Sequence, residues 1–117
     1  MLYAILCYNQ EAAIAKWTPE YDAAVMARHD QVLQGVAAKG KLGPVARLQP
    51  TKTASTLREK VVLDGPFAET KEQLLGFYIV DCESLEEAQK LASQLVEAPG
   101  CMEIRPVHSF WPSTISK

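Results

Sequence analysis

Two short stretches of this chain carry apolar side chains at almost every position. Residues 2–8 open with Leu2-Tyr3-Ala4-Ile5-Leu6-Cys7, and residues 75–82 centre on Phe77-Tyr78-Ile79-Val80. Neither shows the alternation of a strand with one wet face. A strand of this kind is expected to be covered on both sides. Any fold the chain adopts must therefore hide both faces of at least two strands.

The intervening segments supply cover for one face. Thr18-Pro19-Glu20 is a helix start: threonine caps, proline fits the first helical position, and an early glutamate suits the helix dipole. The spacing predicts a helix to about Lys39, stopped by Gly40, with Val25, Met26, His29, Val32, Leu33 and Val36 on one stripe. Ser84-Leu85-Glu86-Glu87 reads as a capping box. The helix behind it presents Leu85, Ala88, Leu91, Ala92 and Leu95 until Pro99-Gly100 ends it. Further strands are expected at Val45–Leu48, Thr56–Leu63 and Met102–Val107. The charged centre of the second of these, Arg58-Glu59-Lys60, suggests an outer or edge position. Residues 9–17 and 64–73 read as polar loops, and residues 109–117 as a tail.

The order is β-α-β-β-β-α-β. This predicts an α+β fold on the ferredoxin-like βαββαβ plan, with an additional hairpin strand within residues 45–63. Right-handed crossovers place both helices on one face of the sheet. The opposite face then needs another cover, because exposed apolar patches of that size are rare on monomers. A two-fold homodimer packed sheet to sheet is the expected solution. A bound apolar ligand, or Phe110-Trp111-Pro112 folded over the sheet, would supply part of the same cover.

A length of 117 residues suits one domain, residues 1–117. With 48% hydrophobic residues, disorder is not expected. The net charge of −2 carries no basic stripe, which argues against a nucleic-acid partner. No apolar stretch approaches the ~20 residues of a membrane span. The first strand lacks the basic leader, length and cleavage site of a signal peptide. Cys7, Cys82 and Cys101 are an odd count without metal-ligand spacing. They are expected to be buried free thiols in a reducing compartment, and the location to be cytoplasmic.

The most informative polar residue is His29, placed inside an apolar helix stripe. Its ordinary role there is structural, with a ring nitrogen on a backbone carbonyl. Its chemical role is that of an acid or base near neutral pH. Asp30 points about 100° away on the helix and cannot orient it directly. The second feature is the loop Asp64-Gly65-Pro66-Phe67-Ala68-Glu69-Thr70-Lys71-Glu72, which is longer than a reversal requires and gathers charge around one aromatic ring. Such loops often carry function, although charge runs are usually just solvated. Arg47 and Arg105 fall in expected strands, where an arginine can clamp a carboxylate or lie along an interface. His108 is expected to be exposed. No phosphate loop, nucleophile elbow or zinc set is present, so neither a metal nor a cofactor is expected.

The nine residues Asp64–Glu72, DGPFAETKE, followed by Gln73–Cys82, resemble the signature of the DGPF branch of the YciI-related proteins. The opening MLYAILCYN, the His29 helix ending in Gly40, Lys41-Leu42-Gly43-Pro44, and Glu103-Ile104-Arg105-Pro106-Val107 fit as well, so the likeness spans almost the whole chain. The resemblance implies a ferredoxin-like fold in dimers related to the dimeric α/β barrels. It also implies a catalytic pair of the helix histidine, here His29, with an acid, for which Asp64 is the choice. One YciI-like relative is a dehydrochlorinase acting on a chlorinated ring-cleavage product, which implies that the scaffold can host lyase chemistry. The branch is often encoded beside extracytoplasmic-function sigma factors, which implies a regulatory association.

Two functions follow. The first is a small cofactor-independent enzyme. In it His29 and Asp64 transfer a proton, while Lys71, Arg47, Glu69 and Phe67 bind a small anionic metabolite for a lyase or isomerase reaction. The alternative is a non-catalytic ligand-binding or regulatory protein linked to a sigma-factor system. A cofactor-less oxygenase, like other dimeric α/β barrels, is a third possibility.

Overall fold

In a computed structural model describing residues 1–116, the chain runs β1 (Leu2–Asn9), α1 (Glu11–Ile14), α2 (Pro19–Ala38), β2 (Leu42–Arg47), β3 (Ser55–Arg58), β4 (Val61–Asp64), β5 (Gln73–Asp81), α3 (Leu85–Leu95) and β6 (Cys101–Pro106). A short 3₁₀ turn at Thr51–Thr53 precedes β3. Four strands form one antiparallel sheet in the order β2-β5-β1-β6, and β3 and β4 pair only with each other. The fold is thus α+β, a four-stranded antiparallel sheet with a separate hairpin. The two doubly apolar segments are its central strands, where the sequence requires cover on both sides.

Along β1 and β5 alternate residues turn toward the helices. Tyr3 lies opposite Val80, and Ile5 opposite Tyr78, with Ile104 of β6 on the other side of Ile5. Tyr3, Ile5, Tyr78 and Val80 form the core with Ala88, Ala92 and Leu95 of α3. Val32, Leu33 and Val36 of α2 pack against that core. Ile5, Val80 and Leu95 are fully buried, and each contributes about 1.5–3 kcal/mol relative to an exposed side chain. The intervening residues Ala4, Leu6, Phe77 and Ile79 turn to the opposite face, where they are only partly buried.

The helix ends follow the local chemistry of the sequence. Thr18 Oγ1 accepts from the Tyr21 amide at 3.1 Å, and Pro19 begins α2. Gly40 takes φ +69° just beyond the helix, a conformation glycine adopts without a Cβ penalty. At α3, Ser84 Oγ accepts from the Glu87 amide at 3.2 Å. The returning carboxylate of Glu87 takes the Glu83 amide at 3.0 Å, one residue earlier than a standard capping box would place it.

Several expectations need correction. Thr56–Leu63 is not one strand. It is the hairpin β3–β4, and Glu59-Lys60 of its charged centre form the turn, with Glu59 at φ +55°. Charge at 58–60 therefore marks a solvated reversal, not an edge strand. β2 pairs with β5 across the sheet and not with the strand that follows it in sequence. The polar loop after β1 contains the short helix α1. Cys82 is buried, but Cys7 is only half-buried and Cys101 is exposed, its Sγ donating to Glu72 Oε2 at 3.2 Å. All three are free. Leu85, expected on the apolar face of α3, is 43% exposed.

One close approach is absolute. A Cβ on Gly76 would run into the backbone carbonyl oxygen of Ala46, which cannot swing aside as a side chain can. Gly76→Ala must therefore displace β2. The expected loss is about 1–3 kcal/mol of unfolding free energy, the usual cost of overpacking, read from the denaturant midpoint. An unchanged midpoint would show that β2 is not held against β5 in this way.

Candidate functional site

The rung of the sheet that joins Arg47, Gly76, Cys7 and Met102 carries two small residues at its centre. Where the rungs above fill the space under the helices with tyrosine and isoleucine, this one leaves it open. The result is a cavity of about 170 Å³ between α2 and the sheet. Trp17, Val25, Met26, Leu33, Val45 and Tyr78 supply most of its apolar wall. Its polar groups are His29, Arg47, Asn9, Asp30 and Glu97, with the thiol of Cys7.

His29 is 9% exposed, one turn after Val25 on the buried stripe of α2. Its Nε2 is buried and has no hydrogen-bond partner. The Leu95 backbone lies near the ring, and a neutral ring protonated at Nδ1 would present its lone pair at Nε2. Burial pushes the imidazole below its ordinary value, and the Arg28 guanidinium pushes it further. The Leu95 backbone and Asp30 act in the opposite sense, and Arg47 adds a small further decrease. His29 is thus a neutral base at pH 7.

The carboxylate set beside it is Glu97. Its Oε1 is 3.8 Å from His29 Nε2, too long for a hydrogen bond but within strong Coulombic range. Three contacts hold Glu97 in place. The Asn9 amide, 2% exposed at the end of β1, donates from Nδ2 to the Glu97 carbonyl at 3.1 Å. Gly100 N donates to the same carbonyl at 2.8 Å. Arg28 forms an ion pair with the carboxylate. A Cβ on Gly100 would strike the Tyr8 carbonyl and the Asn9 side chain, so glycine is what allows this turn to lie against β1.

Arg47 enters from β2. Its guanidinium reaches Met26 Sδ at 3.4 Å and Asp22 at 3.7 Å, both weak contacts for a group with five donors. Burial drives the Tyr78 phenol to about 12, and the nearby Cys7 thiol is also raised, chiefly by burial. Both groups keep their protons at neutral pH. Cys7 is therefore no thiolate nucleophile.

Of the residues singled out in the sequence, the structure brings together His29 and Arg47. Asp64 ends β4 at a position opposite Ser55 and is exposed. Phe67, Glu69 and Lys71 lie exposed in the loop beyond it, Phe67 at 77%. None of these four lines the cavity within one chain. Arg105 is exposed on β6, 3.8 Å from Glu103, and His108 is exposed. Sequence reasoning did not select Glu97 or Asn9. The available signals were a lone carboxylate in the Val96-Glu97-Ala98-Pro99 helix stop, and an asparagine closing a doubly apolar strand. Among the described residues no group of three or more His, Cys, Asp and Glu side chains is placed to hold a metal ion. No described helix is long and apolar enough to cross a membrane.

A compact α+β domain with a histidine set under its first long helix is the class that fold and site define. Residues 1–111 match the YCII-related domain, and the chain belongs to that family. It is 50% identical over 122 residues to an uncharacterised protein of Rhizobium meliloti (strain 1021), with 98% of each chain covered.

The depressed value of His29 has a consequence for stability. Between the ordinary histidine value near 6.5 and the lower folded value, the unfolded chain binds a proton that the folded chain does not. The stabilisation is complete above about pH 6.5 and is lost as the pH falls through the folded value. Proton NMR of the ring, assigned by its loss in His29→Gln, should give a midpoint below 6.5. The fall in unfolding free energy on acidification should be shallower in the variant. A midpoint at or above 6.5 would contradict the burial described.

Proposed function

We propose that the cavity is the site of a small enzyme that needs no cofactor, in which His29 moves a proton on a small anionic metabolite during an elimination or isomerisation. The observation that carries this reading is a buried neutral imidazole whose Nε2 has no partner, in an apolar cavity that also holds a guanidinium and a carboxylate. In this scheme Arg47 takes the substrate carboxylate, and Nε2 of His29 accepts the proton. Glu97 stabilises the imidazolium that forms. Arg28 pairs with Glu97, and Asn9 keeps it in place. Burial keeps the imidazole unprotonated at neutral pH, so that it is free to accept the proton.

The chain is read as a homodimer of the dimeric α/β-barrel type. Two features support this. Leu6, Phe77 and Ile79 lie on the sheet face away from the helices and are only partly buried. The hairpin β3–β4 leaves Leu57 and Val62 each 68% exposed, and an isolated two-stranded hairpin is marginal in water. A second copy answers both. The DGPFAETKE run supports placing the chain in the DGPF branch of its family. A role for Asp64 beside His29, with Phe67, Glu69 and Lys71 at the substrate, requires that second copy to bring its loop to the cavity. The free thiols suit a reducing, cytoplasmic setting.

The test uses small hydroxy and keto acids in D₂O, with loss of their carbon-bound protons followed by NMR. The protein should sediment at twice its 12.9 kDa chain mass and catalyse exchange on at least one such acid. His29→Gln, sedimenting identically, should slow that exchange by roughly 10²–10⁴-fold. Equal rates in the two proteins, or no exchange across the panel, would rule the proposal out.

A further inference from the structure

The cavity also carries information about the shape of what it holds. Its volume of about 170 Å³ is close to the roughly 150 Å³ of an apolar protein cavity that takes up benzene. Space of that size under the helices suits one six-membered ring. The apolar side chains of Trp17, Met26, Leu33, Val45 and Tyr78 line it, as a ring requires. Polar groups are few, and they differ in kind.

Arg47 is one of them. With its side chain about 58% exposed and only the two weak contacts to Met26 and Asp22, it lies where the cavity meets solvent. Such a group pairs with a carboxylate in two parallel bonds. Another is His29 Nε2, buried and without a hydrogen-bond partner. A buried acceptor is costly to leave unpaired, so the occupant should bring a proton to it. A hydroxyl does so. An ammonium is the poorer match, because Arg28 already balances the Glu97 carboxylate at 3.8 Å from that nitrogen. Cys7 and Tyr78 hold their protons and add no charge.

We infer that the ligand is a single-ring carboxylic acid bearing a ring hydroxyl, with the carboxylate on Arg47, the ring between α2 and the sheet, and the hydroxyl donating to His29 Nε2. The inference rests on reading this cavity as the site, and it concerns recognition only. A protein that binds such acids without exchanging their protons would keep this inference and lose the proposed reaction.

The probes are 3- and 4-hydroxybenzoate, with benzoate and phenol as the compounds that each lack one anchor. Binding to the full-length native protein is measured by calorimetry at pH 7.5. At least one hydroxybenzoate isomer should bind ten-fold or more tightly than benzoate, and ten-fold or more tightly than phenol. Arg47→Gln should remove the advantage over phenol, and Arg47→Lys should restore part of it. His29→Gln should remove the advantage over benzoate while leaving benzoate itself within about three-fold. If His29→Gln does not fold, the comparison of ligands on the unaltered protein stands alone. No saturable binding of either isomer up to 10 mM, or binding that Arg47→Gln leaves unchanged, would overturn the assignment.

Discussion

The antiparallel pairing of β1 with β5 is the constraint on which the remaining architecture depends. The two strands meet residue for residue from Leu2 and Asp81 to Cys7 and Gly76, and then the register slips by one between Cys7 and Tyr8. Up to that point large side chains fill the space below the helices. At the slip the facing residues are Cys7 and Gly76, and β2 comes so close that any side chain on β5 there would displace it. Packing that is dense at one end and thin at the other gives a core and a cavity in one layer. The site is thus a by-product of how the sheet is paired and needs no separate scaffold.

Its electrostatics follow from the same placement. α2 must bury a stripe to cover the sheet, and His29 occupies a stripe position. Desolvation disfavours the charged ring, and Arg28, the preceding residue, adds to that. The Leu95 backbone and Asp30 pull the other way, and Glu97, held by Asn9 and the Gly100 turn, lies 3.8 Å from the ring. The ring is neutral at rest, and that carboxylate lies 3.8 Å from its Nε2. A histidine kept only for packing would have both nitrogens satisfied, and this one has Nε2 without a partner.

Much of the fold was legible because its signals are local. Thr18, Gly40 and Ser84 act through backbone amides and φ values a few residues away, so the helices could be bounded from the sequence. The two-faced apolar strands pointed to the sheet centre, since only central strands are covered on both sides. The hairpin β3–β4 was missed because alternation continues through Arg58-Glu59-Lys60 with no glycine to mark the turn, and Glu59 adopts the left-handed conformation itself. Within the site, His29 was legible as a polar residue on an apolar stripe. Glu97 was not, because its closeness to His29 depends on a contact 88 residues apart in sequence, from Asn9 to the Glu97 carbonyl. Asp64 stood out through a signature motif, and a motif records that residues recur together without saying where in the fold they lie.

The central claim is that Glu97 and His29 form one electrostatic unit. It is tested most directly by titrating the His29 ring by NMR in the native protein and in Glu97→Gln. Removing a carboxylate 3.8 Å away takes support from the imidazolium, so the midpoint should move down, further from the ordinary histidine value. A midpoint that stays where it was, or rises, would mean that the two groups do not sense each other, and the proton-transfer pair would have no basis.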